Sequence, residues 1–225
     1  INNFVKKGDF NSLLKKEIFM IVGSWTYRIS NVNAIKAFNT ASVYFKKYGA
    51  LGSSILSHLG KNNGSYTVNI GYENYAHFGE VDDKISNDEN FASEMEPYFA
   101  DTKWETNNFY EPMTHNMPPD PGVKPVFANW MFFHKDAELI QSKGEIFIKA
   151  WMESGATGGT VGRLNGNDND SYGFGVRFNN MKDYGLAQDK LNGENFWSNH
   201  IEFLDETEPR GMTLARVLET TWNQK

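Results

Sequence analysis

GSYTVNIGYENYAHFGEVDDKI (Gly64–Ile85) and DSYGFGVRFNNMKDYGLAQDKL (Asp170–Leu191) align without a gap. Tyr66 meets Tyr172 and Lys84 meets Lys190 at one constant offset of 106 residues (172 − 66 and 190 − 84 alike). Extended outward, the same offset brings Gly49, Ala50, Gly52, Gly60, Asn63, Ser65, Asn74, Gly79 and Asp83 onto identical residues. Upstream the offset becomes 105, pairing Gly23–Arg28 with Ala128–Phe133, so one residue has been gained or lost before the first helix. Loops absorb such changes. The sequence reads as a duplication.

Each copy can be read by its hydrophobic period. IFMIVGSWTYR and VFANWMFF are apolar, β-branched and aromatic, as buried strands are. Next come two amphipathic stretches in which Ala34/Ile140, Ala41/Phe147 and Phe45/Trp151 recur at helical spacing. Asn31 and Asp136 are placed to cap their starts, and Gly49 and Gly155 to end them. A second strand (SSILSHL, GTVGRL) is followed by a Gly/Asn/Asp turn and a third strand of clean alternation. There Tyr66, Val68, Ile70 and Tyr72 match Tyr172, Phe174, Val176 and Phe178, with short or polar residues between them except for Arg177. A shorter helix follows, and FASEMEPYF and FWSNHIEFL are expected to supply the fourth strands. The predicted order is βαββαβ, twice.

That order is the split βαβ of the ferredoxin-like fold. Two such units in one chain resemble the fused form of the dimeric α/β-barrel superfamily, in which two sheets pack face to face. The expected fold class is therefore α+β, two tandem ferredoxin-like repeats forming a pseudo-dimeric α/β barrel. Residues 1–16 form an N-terminal helical extension in this reading. Residues 17–117 carry the first repeat plus an insert, and 118–225 the second repeat plus a C-terminal helix over MTLARVLETTW. The resemblance implies a small-molecule-binding protein or a cofactor-independent enzyme, monooxygenase-like among the superfamily's activities. The alternative is a non-enzymatic assembly module that uses sheet edges or the aromatics of the insert, Trp104, Phe109 and Tyr110. A fold does not choose between them.

Composition narrows the partners. A net charge of −6 with no run of Lys or Arg excludes a nucleic-acid or anionic-membrane binder, since both need a basic patch. A small polar or anionic molecule is the expected ligand, and self-association stays open. The chain contains no cysteine, which removes disulfides, thiolate nucleophiles and zinc–sulfur sites. No apolar run is long enough to span a bilayer, and the first residues lack the apolar core of a signal peptide. The chain is expected to be soluble, with the cytoplasm favoured although no compartment is excluded.

Residues that break the repeat mark the candidate pocket. His58 faces Leu164 across the repeat, Arg28 faces Phe133, Arg163 faces Ser57, Arg177 faces Gly71, and Asn69 faces Gly175. A guanidinium turned into a barrel suits an anionic ligand, although strand-end arginines also reach simply for solvent. The small residues Thr67, Asn69, Gly71, Gly173 and Gly175 allow either close sheet packing or an internal cavity. Trp25 and Trp130 share a repeat position and are read as core. His77 with Glu80 is read as a solvated helix face, and His200 with Glu202 as a strand pair able to hold a metal or relay a proton. The glycines of SGATGGTVG follow a helix instead of preceding one, so they do not form a phosphate loop. No motif calls for a cofactor or a metal.

Overall fold

The computed structural model describes residues 20–100, 102–117, 125–200 and 207–222. The expectation for the segment 1–16 falls outside them. The paired stretches form paired elements: β1 (Ile21–Arg28), α1 (Asn31–Tyr48), β2 (Gly52–His58), β3 (Ser65–Tyr72) and α2 (Tyr75–Ser86) in the first half. In the second half β5 (Val126–Phe133), α4 (Ala137–Glu153), β6 (Gly158–Gly166), β7 (Ser171–Phe178) and α5 (Met181–Gly193) answer them. Local chemistry fixes their ends. Asn74 and Asn180 cap α2 and α5 identically, accepting from the amides of His77 (2.9 Å) and Asp183 (3.0 Å). Gly49 and Gly155 adopt φ of 103° and 117°, conformations that favour glycine after a helix. The first cap of α1 is Ser30, one residue before the expected Asn31.

Both expected fourth strands lie elsewhere. FASEMEPYF forms helix α3 (Glu89–Phe99), started by Asp88, whose carboxylate accepts from the Asn90 and Phe91 amides. Phe91, Met95 and Tyr98 then fall on one helical face and line a cleft against the sheet. The fourth strand of the first half is β4 (Lys103–Asn116), inside the expected insert. In the second half Ser198–His200 is a short 3₁₀ turn, and the strand is β8 (Glu208–Thr220), where a C-terminal helix was expected.

A bulge explains the second error. Around Leu218 the pairing slips from Ile55↔Glu219 to Leu56↔Val217. Thr213, Ala215 and Val217 face the interior, then Thr220 and Trp222. Steps of two mixed with a step of three imitate helical spacing. β4 carries the corresponding slip between Pro112 and Thr114, and a bulge is where a strand accommodates proline.

Among the described residues eight strands close into one antiparallel barrel in the order β1-β3-β2-β8-β5-β7-β6-β4. Closure leaves the sheet without an open edge. Helices α1 to α5 pack outside. Apolar strand residues meet them: Trp151, Phe147, Phe174, Phe178 and Val176 form one continuous core in the second half. The first half has two smaller clusters, around Phe38 and Ile55 and around Tyr72 and Val81. Trp130 stacks on Phe174 and packs on Trp151, while Trp25 faces the cleft beneath α1. Among the described residues no helix is long and apolar enough to cross a membrane.

Candidate functional site

The inner faces of the strands carry the short and polar residues together with apolar ones such as Val22, Leu56, Phe127 and Leu164, and they enclose a cavity of about 770 Å³ inside the barrel. Part of the space beside the small residues is filled. Tyr110 approaches Gly173, the Asn129 side chain approaches Gly175, and the Trp222 indole lies against Gly71. What remains is an internal volume large enough for a substantial organic molecule.

His58, Asn69 and Arg177 line this cavity. His58 and Arg177 are buried, at 7% and 6% exposure. His58 Nε2 lies 2.6 Å from Thr67 Oγ1, which lies 2.7 Å from Thr26 Oγ1. Its Nδ1 is sealed from solvent with no hydrogen-bonding partner. Burial pushes the His58 pKa down, and the Glu105 charge opposes that only in part, so the ring is neutral at neutral pH. Arg177 Nε donates to Thr157 Oγ1 at 3.1 Å.

The other two arginines go elsewhere. Arg28 stands at the rim, its guanidinium bonded to Glu105 (3.1 Å), Ser65 Oγ (2.9 Å) and the Asn63 carbonyl (3.2 Å). The Ser65 hydroxyl, and after it Arg28, hold the Glu105 carboxyl below its usual range. Arg163 points away from the barrel and pairs with Asp170 at 3.6 Å.

Further cavity residues come from strands that the sequence did not reveal. Asn108 on β4 donates to Asp168 Oδ2 (2.7 Å) and accepts from the Asp168 amide (2.9 Å). Tyr110 donates to Thr160 Oγ1 (2.8 Å), because the Thr160 proton is already given to the Thr114 carbonyl (3.1 Å). Burial raises the Tyr110 pKa, so it stays a neutral phenol. His115 lines the cavity beside Arg177 and remains exposed along one side. Desolvation of the rest of its ring, and then the Arg177 charge, lower its pKa. The one signal available for β4 was its alternation from Thr106 to Pro112, which the bulge interrupts.

The remaining sequence candidates have local roles. His77 accepts the Glu73 amide at 3.1 Å. His200 lies in the 3₁₀ turn with its Nδ1 2.8 Å from the Phe196 carbonyl, not on a strand, and Glu202 lies outside the described residues. Among the described residues no three His, Asp or Glu side chains gather into a metal site. Phe109 packs on Trp25 and Phe78, and Tyr110 turns into the barrel, which leaves Trp104 as the exposed aromatic of the three. A second, apolar cleft of about 270 Å³ separates the first-half sheet from α1–α3. It opens where Ala41 and Phe45 stand in place of Phe147 and Trp151.

No protein-family model matches this sequence, and no curated protein matches it. Solved structures do. A candidate monooxygenase from Fusobacterium nucleatum superposes with a TM-score of 0.61 at 10% identity, covering 91% of this chain and 94% of its own. An anthrone oxidase-like protein gives 0.62 at 9% identity, covering 91% and 93%. A heme-binding protein from Thermus thermophilus gives 0.52 at 8% identity, covering 89% and 91%. Haem does not fit the histidine buried in the cavity wall here, since Thr67 occupies His58 Nε2 and Nδ1 does not reach the cavity surface. At such identities the likeness concerns architecture, and the architecture of this chain is that of the dimeric α/β barrel.

Proposed function

We propose that this chain binds a small organic molecule inside its barrel and acts on it as a cofactor-independent, oxygenase-like enzyme. We read the barrel as a fused duplication of one ferredoxin-like unit, whose second copy has diverged around the pocket. The observation that carries the reading is the internal cavity of about 770 Å³, whose mainly apolar wall is set with polar residues and two histidines of lowered pKa. Structural neighbours that include a candidate monooxygenase and an anthrone oxidase-like protein support it by analogy of fold.

Without a cofactor, the electrons that reduce dioxygen come from the substrate once a base has removed a proton from it. His115 is the group suited to act as that base, because it lines the cavity, and desolvation with the Arg177 charge keeps its imidazole neutral. The buried guanidinium of Arg177 beside it favours the negative charge that deprotonation leaves.

Native mass spectrometry of the purified chain, set against its denatured mass, tests the reading. A retained small molecule, identified by fragmentation, is the expected result. An empty monomer counts against it. A ligand-free oligomer would favour the assembly reading, to which the 55% exposure of Trp104 lends its remaining support.

A further inference from the structure

Three side chains at the cavity wall form a hydrogen-bonded chain: His58 to Thr67 at 2.6 Å, and Thr67 to Thr26 at 2.7 Å. Its direction follows from the sealed His58 Nδ1. If Nδ1 carried the ring proton, a buried N–H would have nothing to accept it, which native structures rarely tolerate. If both nitrogens were protonated, a charge would be buried in the wall. The remaining state leaves Nδ1 bare and places the proton on Nε2, where Thr67 Oγ1 accepts it. Thr67 then gives its own proton to Thr26 Oγ1. Thr26, having accepted, is left with a proton to donate, and among the described residues its hydroxyl has no other partner. It lines the cavity. A hydroxyl at the end of such a chain is polarised by the bonds behind it and is a stronger donor than an isolated one.

The repeat supplies a second, independent observation. The residues matching His58, Thr67 and Thr26 are Leu164, Gly173 and Met131. All three polar members are missing together from the other half, where apolar or absent side chains meet the needs of packing. A structural role does not account for their joint presence.

We propose that Thr26 is a ligand-binding donor, held in that role by His58 and Thr67 as positioning residues, so that the barrel selects molecules bearing an acceptor oxygen such as a ketone or phenolate. The inference rests on the reading of the barrel interior as the binding site.

Two measurements test it on the full chain. Nitrogen-15 NMR of the histidine rings reads the tautomer without any ligand: Nε2-protonated, Nδ1-bare His58 is expected, and the reverse overturns the proposal. Calorimetric titration with 2-acetylnaphthalene and with 2-ethylnaphthalene, matched but for the acceptor oxygen, then reads selectivity. The parent should favour the ketone by about fivefold, the order expected of one net hydrogen bond. Thr26→Val and His58→Leu should bring the ratio to about one, and His58→Gln, whose amide can still donate to Thr67, should restore it. Equal binding of both probes by the parent, or a ratio unmoved by Thr26→Val, overturns the assignment while leaving barrel binding intact. If neither probe binds the parent, the barrel reading falls and the assignment with it.

Discussion

The indole of Trp222 rests so closely on Gly71 that a methyl group on that residue would stand 2.1 Å from ring carbon Cη2. At Gly52 the same group would stand 2.6 Å from Cε3. Trp222 is carried there by the end of β8, where the Thr221 amide donates to the Ser53 carbonyl (2.7 Å) and the Ser53 amide to Thr221 Oγ1 (2.9 Å). Glycine at both sites is therefore a condition for this ring to wall the cavity. Gly71→Ala should cost about 1–3 kcal/mol as the ring is displaced. In a Trp222→Ala background the same change should cost close to nothing, a coupling that urea denaturation of the four variants would measure.

His58 makes stability depend on pH. Burial lowers its folded pKa below the unfolded value of 6.5, so the unfolded state takes up the proton first as pH falls. Stability should be constant in this respect above pH 6.5 and decline as the solution is acidified from there toward the folded pKa. His115 is shifted in the same direction and adds to the slope. His58→Gln should flatten part of the decline, as followed by thermal melts between pH 7.5 and 5. An unchanged slope would mean that His58 is not held neutral by its surroundings.

How much of this was legible in the sequence depended on periodicity. β3 and β7 alternate without interruption from Tyr66 to Tyr72 and from Tyr172 to Phe178, and the sequence located both faces of each. β4 and β8 contain bulges, and the inward set shifts phase within each strand. His115 and Trp222, which lie beyond those bulges, were therefore invisible as cavity residues, though both lie on it. Repeat asymmetry pointed to His58, Asn69 and Arg177 because those positions lie on the regular strands. It could not separate them from Arg28 and Arg163, since asymmetry carries no information about which way a strand-end side chain turns. Thr26 and Thr67 look like ordinary strand threonines until the barrel closes and sets them side by side.

The two halves should differ in their tolerance to core changes. Phe147, 5% exposed, touches Phe174, Phe196 and Trp197 in the second half, while its counterpart Ala41 borders the empty cleft of the first. Phe147→Ala should cost about 3–5 kcal/mol because it opens a cavity in a filled core. Ala41→Leu adds volume where space already exists, and should change stability by less than about 1 kcal/mol. Denaturant midpoints of the two variants give the comparison. A large loss from Ala41→Leu would show the cleft to be closed in solution.

Asp88 ties α3 to α1. Its Oδ1 accepts from the Asn90 and Phe91 amides, while Oδ2 accepts from the Tyr48 hydroxyl (2.5 Å) and Lys47 Nζ (2.9 Å). The Tyr48 hydroxyl, and after it the Lys47 charge, hold the carboxyl well below its ordinary 3.8. A depressed carboxyl stabilises the fold fully above the unfolded value, and that contribution is lost as pH falls through the folded one. Asp88→Asn keeps a side-chain oxygen for the helix cap but removes the charge that Lys47 meets. The variant should melt below the parent at pH 7, and the gap should narrow as pH is lowered beneath about 4, where the unfolded parent takes up a proton that the folded carboxyl still excludes. Circular-dichroism melts at pH 7 and pH 3 measure both gaps. A gap of equal size at the two values would mean that the charge on Asp88 contributes nothing, and that its geometry alone holds the two helices together.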